Sequence, residues 1–305
     1  MNPDLFLADL EEKPERLRAW KLRGAWGFVT RPGRVVLLGM GSSHFANLVG
    51  AARLRAAGVD AVAELASSDL LPAIRPDDLV VAVSASAGSA ETLDAVERLG
   101  VDVVAVANQP GPLTERAGRT VWMEAGEERG GVACRSYQHT LALLLELVRH
   151  LTGGRDVPLT DAAAAAEDLL LTEPAWRPRV AELLLGPDGT HVVAPARRIS
   201  SAYQSALMLR EGPRLRAYGC ETGDWSHVDV YLTKTTDYRM LLLGGSRWEE
   251  PLLEWTSQRG STVVGVGTEV PGAVCSVRYA HDDDDDVRLL AETTVAELVA
   301  ARAWA

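Results

Sequence analysis

The chain has 305 residues, 47% of them hydrophobic and 24% charged, with a formal net charge of −11. A chain of this length can bury two cores, and its acidic balance argues against nucleic acid or an anionic membrane as partner, since both are bound through basic surface. No apolar run approaches the roughly 20 residues that cross a bilayer, and Met1-Asn2-Pro3-Asp4 carries no basic-then-apolar signal. The three scattered cysteines, Cys134, Cys220 and Cys275, suit neither a disulfide framework nor a zinc cluster. The expectation is a cytoplasmic protein with reduced thiols, no metal and no cofactor.

Taken in order, residues 1–32 read as one or two helices. Strands follow at 35–38, 61–65, 79–83, 101–106 and 119–122, interleaved with helices at 45–57 and 90–99 and closed by a long apolar helix at 138–151. An Ala- and Leu-rich stretch at 160–184 predicts a connecting helix. The second half repeats the pattern: strands at 191–194, 228–232, 239–243, 261–266 and 276–279, with helices at 199–211, 248–259 and 287–304. Regular alternation of strand and helix implies an α/β fold, mostly parallel sheets covered on both faces. The expected division is an N-terminal helical segment (1–32), a first domain (33–155), a connecting helix (156–185) and a second domain (186–305).

Two turns carry the chemistry. Ser84-Ala85-Ser86-Ala87-Gly88-Ser89-Ala90-Glu91-Thr92 lies where a buried strand passes into a helix, so backbone N–H groups, hydroxyls and the positive helix end converge there. Gly39-Met40-Gly41-Ser42-Ser43-His44 repeats the construction, with glycines for tight geometry and hydroxyls at the helix start. Small residues at strand ends also let helices pack closely, but two such turns on neighbouring strands favour a cradle for one phosphate.

The paired patterns G-x-G-S-S and S-x-S-x-x-S-x-E-T resemble the sugar isomerase (SIS) domain family. Weaker marks follow in the family's order. Glu12-Lys13-Pro14-Glu15 is similar to its E-Q-P segment, Ala66-Ser67-Ser68-Asp69 to its A-S-E, and Ala107-Asn108-Gln109-Pro110-Gly111-Pro112-Leu113 to its T-N-x-x-x-S-P-L. Gly131-Val132-Ala133-Cys134-Arg135-Ser136 stands where the family has G-V-A-S-T-K, and Ala206-Leu207-Met208-Leu209-Arg210-Glu211 where it has A-L-K-L-K-E. His227, in Gly223-Asp224-Trp225-Ser226-His227, matches the histidine of G-E-L-K-H-G-P at the family's own distance from Glu211.

The resemblance implies two tandem SIS-type α/β/α domains. It also implies a small-molecule sugar phosphate as ligand, held by Ser43, Ser84, Ser86 and Ser89, with Ser42 and Val132 facing the sugar. Glu211 is then the general base and His227 the ring-opening histidine, in a homodimer whose site lies at the subunit interface. Aldose–ketose isomerisation moves a proton between adjacent carbons through an enediol, so a carboxylate and a second proton carrier are what it requires. Glu211 precedes Gly212-Pro213 and should end its helix. Asp229, two residues beyond His227, is placed to orient it or raise its pKa.

The chain departs from the family in several places. The usual S-Q-S-G-E-T loses its glutamine, and its glycine moves one place. The tail lysine of the family's aminotransferase members has no counterpart in residues 297–305, Lys234 is the only lysine after residue 21, and no glutaminase is expected. Expectation therefore centres on a sugar-phosphate isomerase or deaminating isomerase. The alternative is a non-catalytic sugar-phosphate-binding regulator, against which stands the lack of a basic or helix-turn-helix segment. Asp282 to Asp286 reads as a solvated run before a helix. Arg197, Arg198, Arg210, Arg214 and Arg216 raise an additional anion site as a possibility, and Arg135 brings a charge into the G-V-A-S-T-K segment.

Overall fold

The computed structural model describes residues 1–304; Ala305, the last residue of the expected second domain, lies outside them. The chain forms two compact units. One comprises Ala19–Glu128 and Ala133–Val157, the other Met1–Arg18, Arg129–Val132 and Pro158–Ala305. The first two helices, α1 (Pro3–Glu11) and α2 (Lys13–Ala19), belong with the latter unit but for the last residue of α2.

In the Ala19–Glu128 unit, β1 (Arg34–Gly39), α3 (Gly41–Ala56), β2 (Ala61–Leu65), β3 (Asp78–Val83), α4 (Ala90–Leu99), β4 (Val104–Ala107), α5 (Pro112–Arg116), β5 (Arg119–Trp122) and α6 (Arg135–Thr152) follow in turn. The sheet is parallel throughout, in the order β2-β1-β3-β4-β5. Val35 to Leu38 are wholly buried, as a continuous apolar run in a sheet covered on both faces must be. Helix α3 begins four residues before the expected 45, so Ser42 and Ser43 lie in its first turn. Short hydroxyl residues suit that position because they can bond locally where first-turn N–H groups lack helical partners.

The other unit carries α7 (Leu159–Leu184), β6 (Thr190–Ala194), α8 (Ile199–Glu211), β7 (Ala217–Glu221), β8 (Arg239–Leu243), α9 (Glu249–Gln258), β9 (Thr262–Val266), β10 (Cys275–Val277), α10 (Asp285–Ala291) and α11 (Thr293–Trp304). Its parallel sheet runs β10-β9-β8-β6-β7. Counted from its own first strand, each sheet has the order 2-1-3-4-5, with a switch point between strands 1 and 3.

Two expectations change here. Residues 229–234 form a 3-10 turn instead of the expected strand at 228–232, and the strand is β7. Its sequence Ala-Tyr-Gly-Cys-Glu hides the strand: glycine weakens β propensity, and Tyr218 stands half-exposed on a sheet edge. The expected single helix at 287–304 is two, parted at Glu292, which is fully buried and accepts from Arg198 Nε at 3.0 Å. Helices α1 and α2 bury Phe6, Leu10 and Leu17, and Lys13 on α2 pairs with Glu297 on α11, both side chains completely buried. The segment Arg129–Val132 crosses α1 at Gly130, whose N–H donates to Asp9 Oδ2 at 2.7 Å. A Cβ at Gly130 would lie 2.5 Å from Phe6 Cα, so only glycine fits.

Candidate functional site

Adjacent parallel strands β1 and β3 are in register with Gly39 opposite Val83. The turns that follow them therefore leave the same edge of the sheet side by side, at the switch point where open α/β sheets receive ligands. Met40, the N-cap of α3, offers no side-chain acceptor to the helix; its carbonyl accepts from Ser43 N at 3.1 Å and His44 N at 3.4 Å, so the open donors at the helix start are the N–H groups of Gly41 and Ser42. The hydroxyls of Ser42, Ser43 and Ser84 make no hydrogen bond among the described residues. Ser86 Oγ accepts from Gly88 N at 3.3 Å. Ser89 is committed further: it caps α4, accepting from Thr92 N at 3.3 Å, and donates to Glu91 Oε2 at 2.9 Å.

This edge is held from behind. Ser84 N donates to Val106 O at 3.0 Å, Asn108 N to Ala85 O at 3.0 Å and Leu113 N to Ala87 O at 2.9 Å, tying the serine turn to the segment after β4. Ala87 occupies the left-handed region at φ 52°, at the position that the resembled pattern S-Q-S-G-E-T fills with glycine. A Cβ on Gly39 would lie 3.0 Å from both Ser43 Cβ and Asn47 Nδ2, which makes its bare backbone the seat of the first turn of α3. Burial pushes the His44 imidazole below its ordinary pKa against the opposing pull of the Glu64 carbonyl. The two turns carry no lysine or arginine, so donors there are neutral dipoles.

The matching edge of the sheet β10-β9-β8-β6-β7 is filled by its own carboxylates. Glu221 accepts from Ala196 N at 3.2 Å, Gly223 N at 2.7 Å and Asp224 N at 2.9 Å. Glu249 accepts from Gly245 N and, at 2.6 Å, from Ser246 N. Arg197 Nε binds Asp285 at 2.8 Å, and the buried Arg198 binds Glu292 and Asp285. The donors that a phosphate would need at this edge are already satisfied. Sequence reasoning passed over Glu249, although Ser246-x-x-Glu249 has the spacing of a helix-start capping box. Arg214 and Arg216 are exposed and lie by Thr190 at the other end of this sheet, so the five arginines raised as an anion site are not brought together.

Glu211 is the last residue of α8 and partly buried, and His227 is exposed just after a 3-10 turn at Asp224–Ser226. No hydrogen bond or ion pair joins the His227 ring to another described residue. The expected contact of Asp229 with His227 is not made. Its carboxylate accepts from His191 Nδ1 at 3.2 Å and from the Tyr238 hydroxyl at 3.3 Å. The reason is that Asp229 turns to His191 on β6 and to Tyr238, while His227 is exposed. Burial, then the Asp229 charge, push the Tyr238 phenol well up, so it remains a donor. Burial and the same carboxylate push the Cys220 thiol up to about 12, which keeps it neutral.

Val132 is buried and falls in the segment Arg129–Val132, whereas Ala133 begins the other unit. Arg135 is entirely buried at the start of α6, donating to Glu127 O, while Glu128 accepts from Cys134 N, Arg135 N and Ser136 N at 2.7 to 3.0 Å. The acidic run is used structurally. Asp282 pairs with Arg278, Asp284 caps α10 through Asp286 N and Val287 N, and Asp285 meets Arg197 and Arg198.

The SIS domain family model matches residues 29–149, the segment that holds both serine turns. The curated glutamine–fructose-6-phosphate aminotransferase [isomerizing] of Aeropyrum pernix is 29% identical over 259 residues, covering 76% of this chain and 42% of that protein. The enzyme of the same description from Pyrococcus horikoshii is 24% identical over 257 residues, 78% of this chain and 42% of its own. The chain thus spans under half the length of these relatives. Among solved structures, the C-terminal domain of glucosamine-fructose-6-phosphate aminotransferase from Francisella tularensis superposes with a TM-score of 0.82 at 16% identity, covering 97% of this chain and 94% of that one. Tagatose-6-phosphate ketose/aldose isomerase from Escherichia coli gives 0.81 at 15% identity, covering 97% and 92%. Glucosamine-6-phosphate deaminase from Thermotoga maritima gives 0.73 at 15% identity, covering 98% and 93%. Residues 29–149 are thus similar to the SIS domain family, and the chain's fold is the two-sheet, three-layer α/β architecture of those structures.

Proposed function

We propose that the protein is a sugar-phosphate enzyme, an aldose–ketose isomerase or a deaminating isomerase of a hexose phosphate or amino-sugar phosphate, working as a homodimer. The observation that carries this is the asymmetry between the two switch points. The edge after β1 and β3 presents the hydroxyls of Ser42, Ser43 and Ser84 and the N–H groups of Gly41 and Ser42 with no partner among the described residues, whereas the edge after β6 and β8 is filled by Glu221 and Glu249. Ser42, Ser43, Ser84, Ser86 and Ser89 are the proposed phosphate and sugar contacts, with Val132 beside them in the sequence pattern. A phosphate held by neutral dipoles gains from the helix start without a lysine.

Glu211 and His227 are the proposed proton carriers. A carboxylate can shuttle the proton between the two carbons while an imidazole serves the ring and carbonyl oxygens. Support comes from Glu211 at the end of α8, from the exposed ring of His227, and from relatives whose names describe isomerising and deaminating enzymes. The test is proton exchange at the second carbon of fructose-6-phosphate and glucosamine-6-phosphate in deuterated water. Exchange abolished by Glu211→Gln supports the enzyme. Binding of both sugars with no exchange in the wild type would turn the reading into that of a sugar-phosphate-binding regulator.

A further inference from the structure

The seventeen residues between β7 and β8 form no strand, and the stretch through His227 is fastened on both of its sides. Trp225, two residues before His227, is fully buried and donates from Nε1 to the Tyr238 hydroxyl at 2.8 Å. Asp229, two residues after it, accepts from that same hydroxyl at 3.3 Å and from His191 Nδ1 at 3.2 Å. The His191 ring lies on the Tyr238 ring at 4.1 Å between centroids and 23° between planes. His191 is on β6 and Tyr238 directly precedes the adjacent strand β8, so the pair is built on the sheet itself.

We infer that Tyr238 and His191 are positioning residues for His227: one phenol oxygen and one imidazole, anchored on neighbouring strands, clamp both flanks of the loop and fix where its exposed ring points. The inference rests on the proposed role of His227. The donor sequence is self-consistent, since indole donates to phenol, phenol donates to carboxylate and imidazole Nδ1–H donates to the same carboxylate. Nothing else in the cluster reaches the His227 ring, so the effect travels through the backbone of residues 225–229. An imidazole displaced by about 1 Å from a reacting oxygen loses much of its effect on rate.

Tyr238→Phe removes the shared oxygen but keeps the stacked ring. His191→Phe removes the second donor and keeps the ring, and His191→Asn restores an amide donor where Nδ1 stood. Two readouts are needed. In turnover with whichever sugar phosphate is active, Tyr238→Phe and His191→Phe should lower kcat roughly tenfold to a hundredfold, with KM changed less than about twofold, and His191→Asn should recover part of the loss. In the free protein, the His227 imidazole resonances, identified among those of the six histidines by their loss in His227→Gln, should shift or broaden in both Phe variants. Wild-type kcat and unmoved His227 resonances in Tyr238→Phe would overturn the inference whatever happened to the melting temperature, as would a change in KM alone. If the wild type turns over no sugar phosphate, the proposed function fails while the resonances still decide the positioning: moved signals uphold it and unmoved signals sink it.

Discussion

At the scale of single residues, the serine turn and the carboxylate of Glu211 make separable claims. Ser86 offers its hydroxyl proton outward while its oxygen accepts from Gly88 N. Ser86→Ala should therefore weaken binding of glucosamine-6-phosphate by roughly 1–3 kcal/mol, the worth of a donor to a charged group, with little effect on chemistry once the ligand is bound. Calorimetric titration checks this, and an unchanged dissociation constant would remove Ser86 from the site. Glu211→Gln keeps size and hydrogen-bonding reach but cannot carry a proton. It should lose roughly a hundredfold or more in turnover with sugar-phosphate affinity retained, as read by isotope exchange beside the same titration. Loss of both together would make Glu211 a structural group.

At the scale of elements, the first turn of α3 is seated on Gly39. A Cβ there would meet Ser43 Cβ at 3.0 Å and His44 N at 3.2 Å, both fixed by the helix. Gly39→Ala should move Ser42 and Ser43 by a few tenths of an ångström and reduce sugar-phosphate affinity about tenfold, some 1.4 kcal/mol, while the far-UV circular dichroism stays that of the wild type. Equal affinity would mean that α3 contributes no contact. Helix α2 is docked differently, by the buried pair Lys13–Glu297, with Thr294 Oγ1 at 3.4 Å from the lysine nitrogen. Lys13→Met leaves a carboxylate buried without its cation and should cost about 3–5 kcal/mol in urea unfolding. Lys13→Met combined with Glu297→Leu should recover most of that, because paired charges in a core repay little beyond their own desolvation. A double variant as unstable as the single one would show that the lysine's own bonds to Glu297 and Thr294, rather than the cost of an unpaired carboxylate, account for the loss.

At the scale of the whole molecule, stability should fall in acid. Burial alone would push the carboxyls of Asp78, Glu146 and Asp282 up, but hydrogen bonds and charge from Arg34, Arg149 and Arg278 outweigh it and hold all three below the usual carboxylate range. A carboxyl with a depressed folded pKa binds its proton less readily folded than unfolded. Its stabilisation is therefore complete above the unfolded value, about 4, and is lost as pH falls through the folded value. Unfolding free energy should be flat from pH 7 to about pH 5 and decline below about pH 4; a decline already under way at pH 6 would point to histidines instead. Val228, Tyr231 and Trp248 are each at least half exposed, and a homodimer is expected to cover such large apolar side chains. The proposed homodimer should sediment as such at micromolar concentration, and Tyr231→Asp should weaken it; a wild-type monomer at that concentration would refute it.

The local pattern by itself determined the alternation of strands and helices, the parallel sheets and the two serine turns. Each of these is written in neighbouring residues: a run such as 35–38 must be buried on both faces, and hydroxyls after it must sit at a helix start. The same local logic placed Glu211 at the end of α8, where Gly212 and Pro213 stop the helix. Only the tertiary structure decided that residues 217–221 and not 228–232 form the second strand of their sheet, because a short edge strand with a central glycine has little periodicity to read. It also decided that Asp229 turns to His191, 38 residues away, and that Lys13 meets Glu297, 284 residues away. Spacing in a chain constrains partners within a turn or a hairpin, whereas pairs so far apart are selected by which faces remain to be buried once the sheets have formed.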